Sequence, residues 1–359
     1  MALLLLALWA VSGCSTLGYL GQAASGHLSL LSAARPIDAV LEDPQTPLAL
    51  KQKLQRARQI RAFAAAELGL PDNRSYTAYS DLGRPAVVWN VFATPELSLQ
   101  LKTWCYPIFG CAGYRGYFDV TRAEYFANEL RAQGLDVYVA PVPAYSTLGW
   151  LNWVGGDPLL NTFIDWPEPE LARLIFHELA HQVVYVADDT VFNESFATAV
   201  ERVGVQRWLA HRGDETLRTQ WQTYEQRRTE FLRLIQTHRQ ALQAIYDTHA
   251  PDEEKRTQKR ALLDALRAAL QAALQSPQGG GGGGGGGAAF LRAPLGGAHL
   301  AAVAAYNDGV PAFNALLARE QGDLPRFYAQ VKQLAQRPRA ERDARLRELA
   351  LGHTSAAPL

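Results

Sequence analysis

The stretch RLIFHELAHQVVY, residues 173–185, holds residues whose types and spacing suit metal-assisted hydrolysis: His177, Glu178 and His181. Histidines four residues apart lie on one face of an α-helix, so both imidazoles can reach one ion. A zinc ion held by three protein ligands keeps a further position open for water. Glu178 flanks that position and can take a proton from a metal-activated water and pass it to a leaving amine. We therefore predict a zinc centre with Glu178 as the general base.

The competing interpretation is a chance match on an amphipathic helix, because this five-residue pattern alone is only moderately specific. The neighbouring residues argue against it, since most are apolar: Leu171, Leu174, Ile175, Leu179, Ala180, Val183 and Val184. Buried histidines beside a buried glutamate are unfavourable without a partner such as a metal ion. The context therefore favours a metal site.

The stretch FNESFATAVE, residues 192–201, offers a third ligand. Residues 188–190, Asp-Asp-Thr, predict a helix break, after which a second helix can fold back and bring Glu194 to the zinc. Glu201 lies two helical turns further on the same face, so we expect it to hold a ligand histidine by a hydrogen bond.

Other residues could fill the third position. His211, His238 and His299 are alternative ligands, although none lies in a comparably apolar segment. The alternative for Glu194 is a carboxylate that only stabilises a helix N-terminus. We expect one Zn2+ per chain, bound by the two motif histidines and Glu194.

The first residues, MALLLLALWAVSGCS, are typical of a secretion signal and not of a folded segment. The apolar run is too short to span a bilayer as a mature helix. Its end, from Val11 to Cys14, resembles the lipobox of bacterial lipoproteins. By that resemblance residues 1–13 are removed, Cys14 is lipidated, and Ser15 implies the outer membrane. We expect a bacterial envelope protein that is lipid-anchored and faces the periplasm; the alternative is a buried apolar N-terminal helix.

Composition limits the class of partner. The chain has 359 residues, of which 48% are hydrophobic, enough for a large core, and its formal net charge is +0. A neutral chain is not expected to bind nucleic acid. The expected partners are therefore a peptide or protein substrate and the membrane that holds the lipid anchor.

Two cysteines remain once Cys14 is assigned to the anchor. Cys105 and Cys111 form an even pair that could bridge in an oxidising periplasm. The alternative is two reduced thiols in the core.

Patterns along the chain predict an α+β fold that is mostly helical. A helix is expected over residues 47–70, and strands are expected in SYTAYS, AVVWNVFAT and DVYVAP. The last two flank a short helix that begins with a capping box at Thr121 and ends at Gly134. From residue 167 onward the sequence is almost entirely helical, interrupted by a glycine run at 279–287 that behaves as a flexible tether.

A family resemblance adds to these inferences. HELAH and NESFATAVE together resemble the motifs of gluzincin metallopeptidases, and the second resembles the NEGFAxxxE of aminopeptidase-N-like enzymes. Further stretches resemble a bacterial family of predicted aminopeptidases that carry lipoprotein signals: WCYPIFGCAGYRGYF, AYSTLGW, DPLLNTF and AAYNDGVPAF. The resemblance implies a zinc peptidase with a small mixed sheet whose edge strand packs on the active-site helix.

The resemblance also implies residues that contact the substrate. Residues 144–149 match the edge strand that binds substrate main chain in gluzincins, so Tyr145, Ser146 and Thr147 are the expected substrate strand. Tyr306 is the expected tyrosine that stabilises the oxyanion; the alternative is an aromatic core residue.

The expected organisation is a signal peptide followed by one enzymatic domain. Residues 1–13 are the signal and residues 14–46 the lipid anchor and linker. The metallopeptidase domain, 47–359, divides into an α/β part (47–166), zinc-binding helices (167–211), a helical arm (212–275), a glycine-rich loop (276–294) and C-terminal helices (295–359).

We expect a zinc-dependent peptidase, an aminopeptidase by resemblance. The Gly-x-Met-Glu-Asn motif that binds the substrate amine in aminopeptidase-N-like enzymes is absent, because the only methionine is Met1. Exopeptidase action therefore does not follow from the zinc motif. The alternative function is a non-catalytic, zinc-containing envelope lipoprotein that acts as a binding or scaffold module; a wall-directed amidase would share the metal chemistry.

Overall fold

The protein is represented by a computed structural model, which describes residues 18–19, 21–23, 25–106, 110–144, 146–147, 155–275 and 290–354. Within these ranges the side chains of residues 106, 110, 305–307 and 352–354 are not described. The predicted lipidation site Cys14, the predicted substrate residue Tyr145 and the glycine run lie outside the described residues, as does the side chain of Tyr306.

Short strands and helices mix in the first part of the chain. In order these elements are α1 (25–32), β1 (Arg35–Pro36), α2 (Ile37–Glu42), α3 (Leu48–Leu68), β2 (Ala78–Ser80), β3 (Val88–Pro95), β4 (Trp104–Tyr106), β5 (Gly110–Ala112), β6 (Arg115–Tyr117), α4 (Val120–Ala132), β7 (Leu135–Val142) and β8 (Leu159–Leu160).

Helices make up the ordered elements of the second part. They are α5 (Glu168–His181), α6 (Thr190–Arg212), α7 (Glu215–Tyr246), α8 (Asp252–Gln275), α9 (Gly297–Asn307), α10 (Val310–Arg319), α11 (Leu324–Ala335) and α12 (Arg339–Thr354). The prediction of a mostly helical α+β fold is confirmed.

The described strands form three small sheets. In the one that faces the motif helices, β3 is central and pairs antiparallel with β6 on one side and β7 on the other. Successive side chains of a strand point to opposite faces. Val91 and Ala93 pack on the side of α4, whereas Phe92 packs with Ala298 and Ala302 of α9. In a second sheet, β2 pairs antiparallel with β1 and parallel with β8, and β4 and β5 form a hairpin.

The motif helices α5 and α6 pack on α3 in the main core. Ile60 and Phe63 of α3 are buried there. Gly204 of α6 permits the close approach, because a Cβ at this position would lie 2.7 Å from Phe176 of α5 and 2.9 Å from Leu68 of α3. The absence of a side chain at this position lets three helices meet in one tightly packed core.

Several predicted boundaries differ from the structure. The segment 14–46 was predicted to be a linker, but Leu30, Ile37 and Val40 of α1 and α2 are buried in the main core. Burial of these apolar side chains gives the segment its fold, so the linker prediction is wrong for its described part. The glycine-rich loop was predicted to reach residue 294, yet Phe290 is buried against His299.

The cap of α4 also differs from the prediction. Asp119, and not Thr121, is the N-cap, and its side chain accepts a hydrogen bond from the backbone N–H of Arg122 at 2.8 Å. Aspartate is among the residues that best satisfy the N–H groups of a first turn, so the helix starts at Val120.

The predicted helical arm consists of α7 and α8, which pack against each other as a hairpin. Their facing apolar side chains make a second core: Leu234, Ile235, Leu242, Leu263, Leu266 and Leu270. Tyr138 of β7 packs against this core, so the arm lies on the sheet. None of the described helices is both long enough and apolar enough to cross a membrane.

Asp189 connects the motif helices to the C-terminal helix. It is the N-cap of α6 and accepts from the N–H of Phe192 at 3.1 Å. Arg342 of α12 donates to the other carboxylate oxygen through Nε at 2.9 Å and Nη2 at 2.6 Å. Both side chains of this ion pair are buried, so each charge depends on the other.

We predict that Arg342→Met lowers the free energy of unfolding by about 3–5 kcal/mol, because Asp189 is left as an unpaired buried charge. Urea denaturation measures this loss, and adding Asp189→Asn should recover part of it. Arg345→Met, on an exposed part of the same helix, is the matched control and should change stability by less than about 0.5 kcal/mol. Equal losses for the two arginine variants would contradict the role of the ion pair.

Candidate metal centre

Helix α5 directs both motif histidines to the same side. Its apolar residues are buried in the core, and His177 and His181 lie one turn apart with their rings 4.8 Å from centroid to centroid. The C-cap residue Gln182 fixes the end of the helix. Asn73 donates to its side-chain oxygen at 2.6 Å, and its side-chain nitrogen donates to Ser75 at 3.1 Å.

The turn between α5 and α6 is held by the asparagine of the NESFA stretch. Asn193 accepts from the N–H of Val186 at 2.8 Å and donates to the carbonyl of the same residue at 2.7 Å. The Asn193 amide therefore fixes the turn by hydrogen bonds to both backbone polar groups of Val186. Because the next residue is Glu194, fixing Asn193 also fixes the carboxylate that returns to α5.

The three predicted ligands come together. His177 Nε2 lies 3.2 Å from His181 Nε2 and 3.1 Å from Glu194 Oε2, and His181 Nε2 lies 3.7 Å from that oxygen. Ligand atoms about 2.0–2.1 Å from a tetrahedral zinc ion lie roughly 3.3 Å apart, so the separations fit this ion. Two imidazoles and a carboxylate are also a suitable donor set. This cluster could bind a metal ion.

Glu201 contacts the outer ring nitrogen of His177, one of the candidate ligands. Its Oε2 lies 2.9 Å from His177 Nδ1, and Arg173 of α5 donates to the same oxygen at 3.0 Å. Arg228 of the helical arm lies 3.3 Å from Oε1. With its proton on Nδ1, His177 donates to Glu201 and presents the Nε2 lone pair to a metal.

The acidic and basic side chains of the cluster stabilise one another's charged forms. Burial opposes ionisation of Glu201, but Arg173 and Arg228 outweigh it and hold its pKa far below the usual value. Burial likewise lowers the pKa of His177, yet its contacts with Glu194 and Glu201 prevail and raise that pKa to about 10. A proton therefore occupies the metal-free site, and a metal ion would have to replace it.

Glu178 lies beside the three ligands in a cleft of about 360 Å³. Its carboxylate forms no hydrogen bond or ion pair with the described residues. Burial raises its pKa above the usual value of 4.5, although His177 and His181 oppose the shift. A carboxylate with a raised pKa is a better proton acceptor near neutral pH, which suits a general base.

The sheet forms the opposite wall of the cleft. Alternate residues from each of its three strands and the ends of those strands face the metal centre: Tyr114, Gly116, Phe118, Val88, Asn90, Val142 and Ala144. This wall is neutral, whereas the helical wall carries the ionisable ligands.

Comparison with known proteins identifies the family. Residues 18–346 match the model of a family described as "Putative aminopeptidase". The chain belongs to this family. The match includes both motif helices, the sheet wall and the helical arm. No curated protein and no solved structure matches the chain.

In this family member the described part of the predicted substrate strand takes another form. Strand β7 ends at Val142, so Ser146 and Thr147 are not in its ladder. Asp157 binds them instead: Thr147 N–H donates to its two oxygens at 3.0 and 3.1 Å, and the Ser146 hydroxyl donates at 3.3 Å. The Thr147 N–H is therefore not available to a substrate, although Ser146 lines the cleft.

The alternative histidine ligands lie elsewhere. His299 stacks on Tyr138 at 4.1 Å, and burial lowers its pKa to about 3. His211 packs on Phe63 at 5.1 Å, and His238 contacts the carbonyl of Leu234. None of the three joins the metal-ligating cluster in the described part of the chain. The backbone of Tyr306 lies in α9, and its role as oxyanion donor stays a prediction.

Sequence reasoning missed the polar groups of the sheet wall and of the arm. Asn90, Tyr114 and Tyr185 line the cleft, and Arg228 reaches Glu201 from α7. One signal was present for Asn90, since asparagine is disfavoured inside strands and needs a local reason there. No signal marked Arg228 among the many arginines of the arm.

Cys105 and Cys111 are joined in a disulfide across the β4–β5 hairpin, with their Cα atoms 3.9 Å apart. The backbone N–H of Cys111 donates to Asp188, in the turn between the motif helices. The bridged hairpin is thereby docked beside the metal centre.

We predict that Glu201→Gln weakens zinc binding by about 10- to 100-fold, because His177 loses the charge that orients it. Competition with a chromophoric chelator measures the affinity. Glu168→Gln is the control: this glutamate lies on α5 but binds Trp208 and Arg212. It should leave zinc affinity unchanged. Wild-type affinity in Glu201→Gln would show that the carboxylate does not support the site.

Proposed function

We propose that this protein is a zinc-dependent peptidase and, within its family, an aminopeptidase. The observation that carries the proposal is the convergence of His177, His181 and Glu194 on one point. Glu178 lies beside them in the same cleft, without a partner among the described residues. The family description supports the peptide as substrate and the aminopeptidase class.

Each residue of the cluster has a role in this proposal. His177, His181 and Glu194 would hold zinc, which supplies a Lewis acid and a nucleophile near neutral pH. Glu178 accepts the proton of the attacking water and later donates it to the leaving amine. Glu201 keeps His177 oriented through its Nδ1–H. Tyr306 remains the proposed donor to the oxyanion.

The arrangement favours catalysis over a scaffold role. A structural zinc ion usually has four protein ligands, whereas a catalytic one has three and an open position. The cluster found in the described residues has three members and opens into a cleft with room for a ligand. A carboxylate with a raised pKa beside that cluster adds the base that hydrolysis needs.

We further propose that the protein is attached to the bacterial outer membrane through Cys14 and faces the periplasm. The lipobox-like sequence before Cys14 supports this location. The disulfide between Cys105 and Cys111 is consistent with it, because such bonds persist in oxidising compartments. The expected partners are peptides or proteins of the envelope.

Glu178→Gln should lower kcat for peptide hydrolysis by about 10²- to 10⁴-fold with little change in zinc content, because it removes the base but no ligand. A screen of peptides with free and acetylated N-termini measures cleavage, and metal analysis measures zinc. Glu168→Gln on the same helix controls for the loss of a carboxylate and should retain activity. A Glu178→Gln variant as active as the wild type would refute the peptidase mechanism.

Cys14→Ser should release the protein from the membrane fraction into the soluble periplasm or leave its precursor uncleaved, because the lipid attachment site is lost. Fractionation of the natural host and labelling with a fatty-acid analogue detect the change. Unlabelled wild-type protein would refute the anchor and leave the peptidase proposal untouched.

A further inference from the structure

The sheet wall of the cleft contains a largely buried side-chain amide that bonds to none of the described residues. Asn90 lies in the middle of β3, and only 7% of its surface is exposed. It lines the same cleft as the metal ligands, and its amide makes no hydrogen bond within the described part of the chain. Asparagine is disfavoured inside strands, so an amide at this position that bonds to no described residue and faces a cleft points to a ligand as its partner.

The neighbours of Asn90 leave its amide accessible. Gly116 is opposite it on β6, and Ala140 is opposite it on β7. A Cβ on Gly116 would lie 3.0 Å from the Asn90 side-chain oxygen and would crowd it. Cross-strand neighbours with larger side chains would cover the amide, whereas these two leave space in front of it.

The hydrogen-bonding groups of the Asn90 side chain indicate which kind of ligand it could bind. A carboxamide offers two donors and an acceptor, the complement of a peptide group with one N–H and one C=O. A charged terminus is better recognised by an opposite charge. The acidic and histidine side chains of the described cleft lining, His177, Glu178, His181 and Glu194, all belong to the candidate metal centre.

The other amide on the cleft wall is already used. The side-chain oxygen and nitrogen of Asn193 are both hydrogen-bonded to the backbone of Val186. Among the described residues that line the cleft, Asn90 is therefore the side-chain amide left for a ligand. It lies on the sheet, across the cavity from the helices that carry the metal ligands.

We propose that Asn90 binds a main-chain peptide group of the substrate and holds the peptide against the sheet, opposite the metal centre. This inference rests on the proposed peptidase function and adds the group through which the substrate is recognised. If Asn90 recognises the main chain, its contribution to substrate affinity should be similar for peptides with different side chains. The contribution should also be similar for free and acetylated N-termini, because a neutral amide has no preference for charge.

The test compares Asn90→Leu, which has nearly the same shape but no polar atoms, with Thr94→Val. Thr94 lies on the same strand, is fully buried and has an unpartnered hydroxyl, but it does not line the cleft. Its variant controls for a polar-to-apolar change in β3. Zinc content and thermal midpoint are measured for both, so that misfolding is detected.

Two measurements are made on each variant. The first is kcat/KM on tripeptide amides of different sequence with free or acetylated N-termini. The second is the Kd of the same peptides for zinc-loaded protein that also carries Glu178→Gln. For Asn90→Leu we expect kcat/KM to fall, and Kd to rise, by about 10- to 100-fold for all peptides, as two lost hydrogen bonds imply. Thr94→Val should match the wild type.

Asn90→Asp is a second variant, which keeps a polar side chain and so tests the inference even if leucine at this position disturbs the fold. It replaces the donor with a charge, so acetylated peptides should lose affinity and free amines should lose less. Wild-type Kd and kcat/KM in Asn90→Leu would overturn the inference and leave the peptidase function standing. If peptides bind to the wild type but are not cut, the proposed peptidase function is refuted. In that case the Kd values of the Asn90 variants still test whether Asn90 binds the peptide. Failure of every peptide to bind would overturn both proposals.

Discussion

A buried carboxylate that requires two cations organises the candidate metal centre. Glu201 is fully buried, and a lone carboxylate at that depth would be strongly unfavourable. Arg173 from α5 and Arg228 from α7 supply the compensating charge, and the Nδ1–H of His177 donates to the carboxylate at 2.9 Å. Three helices must therefore meet at one point, and the imidazole that they fix is one of the potential metal ligands. The helical arm contributes directly to the site through Arg228.

The two walls of the cleft differ in charge: one carries ionisable groups and the other is neutral. The helical wall carries the charged groups, and the short turn held by Asn193 places Glu194 opposite the histidines of α5. The sheet wall is neutral, and Gly116 leaves its surface open around Asn90. A metal centre needs a rigid, charged environment, whereas a peptide of any sequence is best held through its main chain. The fold would meet both requirements of the proposed function, because β3 and the motif helices belong to one packed body.

The elements that could be predicted from the sequence are those fixed by local patterns. The helix pair, its break at Asp188 and Asp189 and the set of potential ligands follow from residue spacing within one or two turns. Arg228 and Asn90 reach the site only through tertiary packing. An asparagine inside a predicted strand was the one local signal for Asn90, and no local pattern marked Arg228. For the predicted substrate strand, no local pattern showed that Asp157, ten residues after Thr147, accepts the Thr147 N–H in the folded chain. The N-terminal segment was misassigned because its few apolar residues pack on a core formed much later in the sequence.

The position of the metal ion is the most direct test of this account. Crystals of the zinc-loaded protein, measured above and below the zinc absorption edge, should show one anomalous peak per chain. That peak should lie about 2.0–2.2 Å from His177 Nε2, His181 Nε2 and an oxygen of Glu194, with Glu178 nearby but not bound. The absence of a peak at that point, or a fourth side chain that closes the coordination, would contradict a catalytic zinc centre.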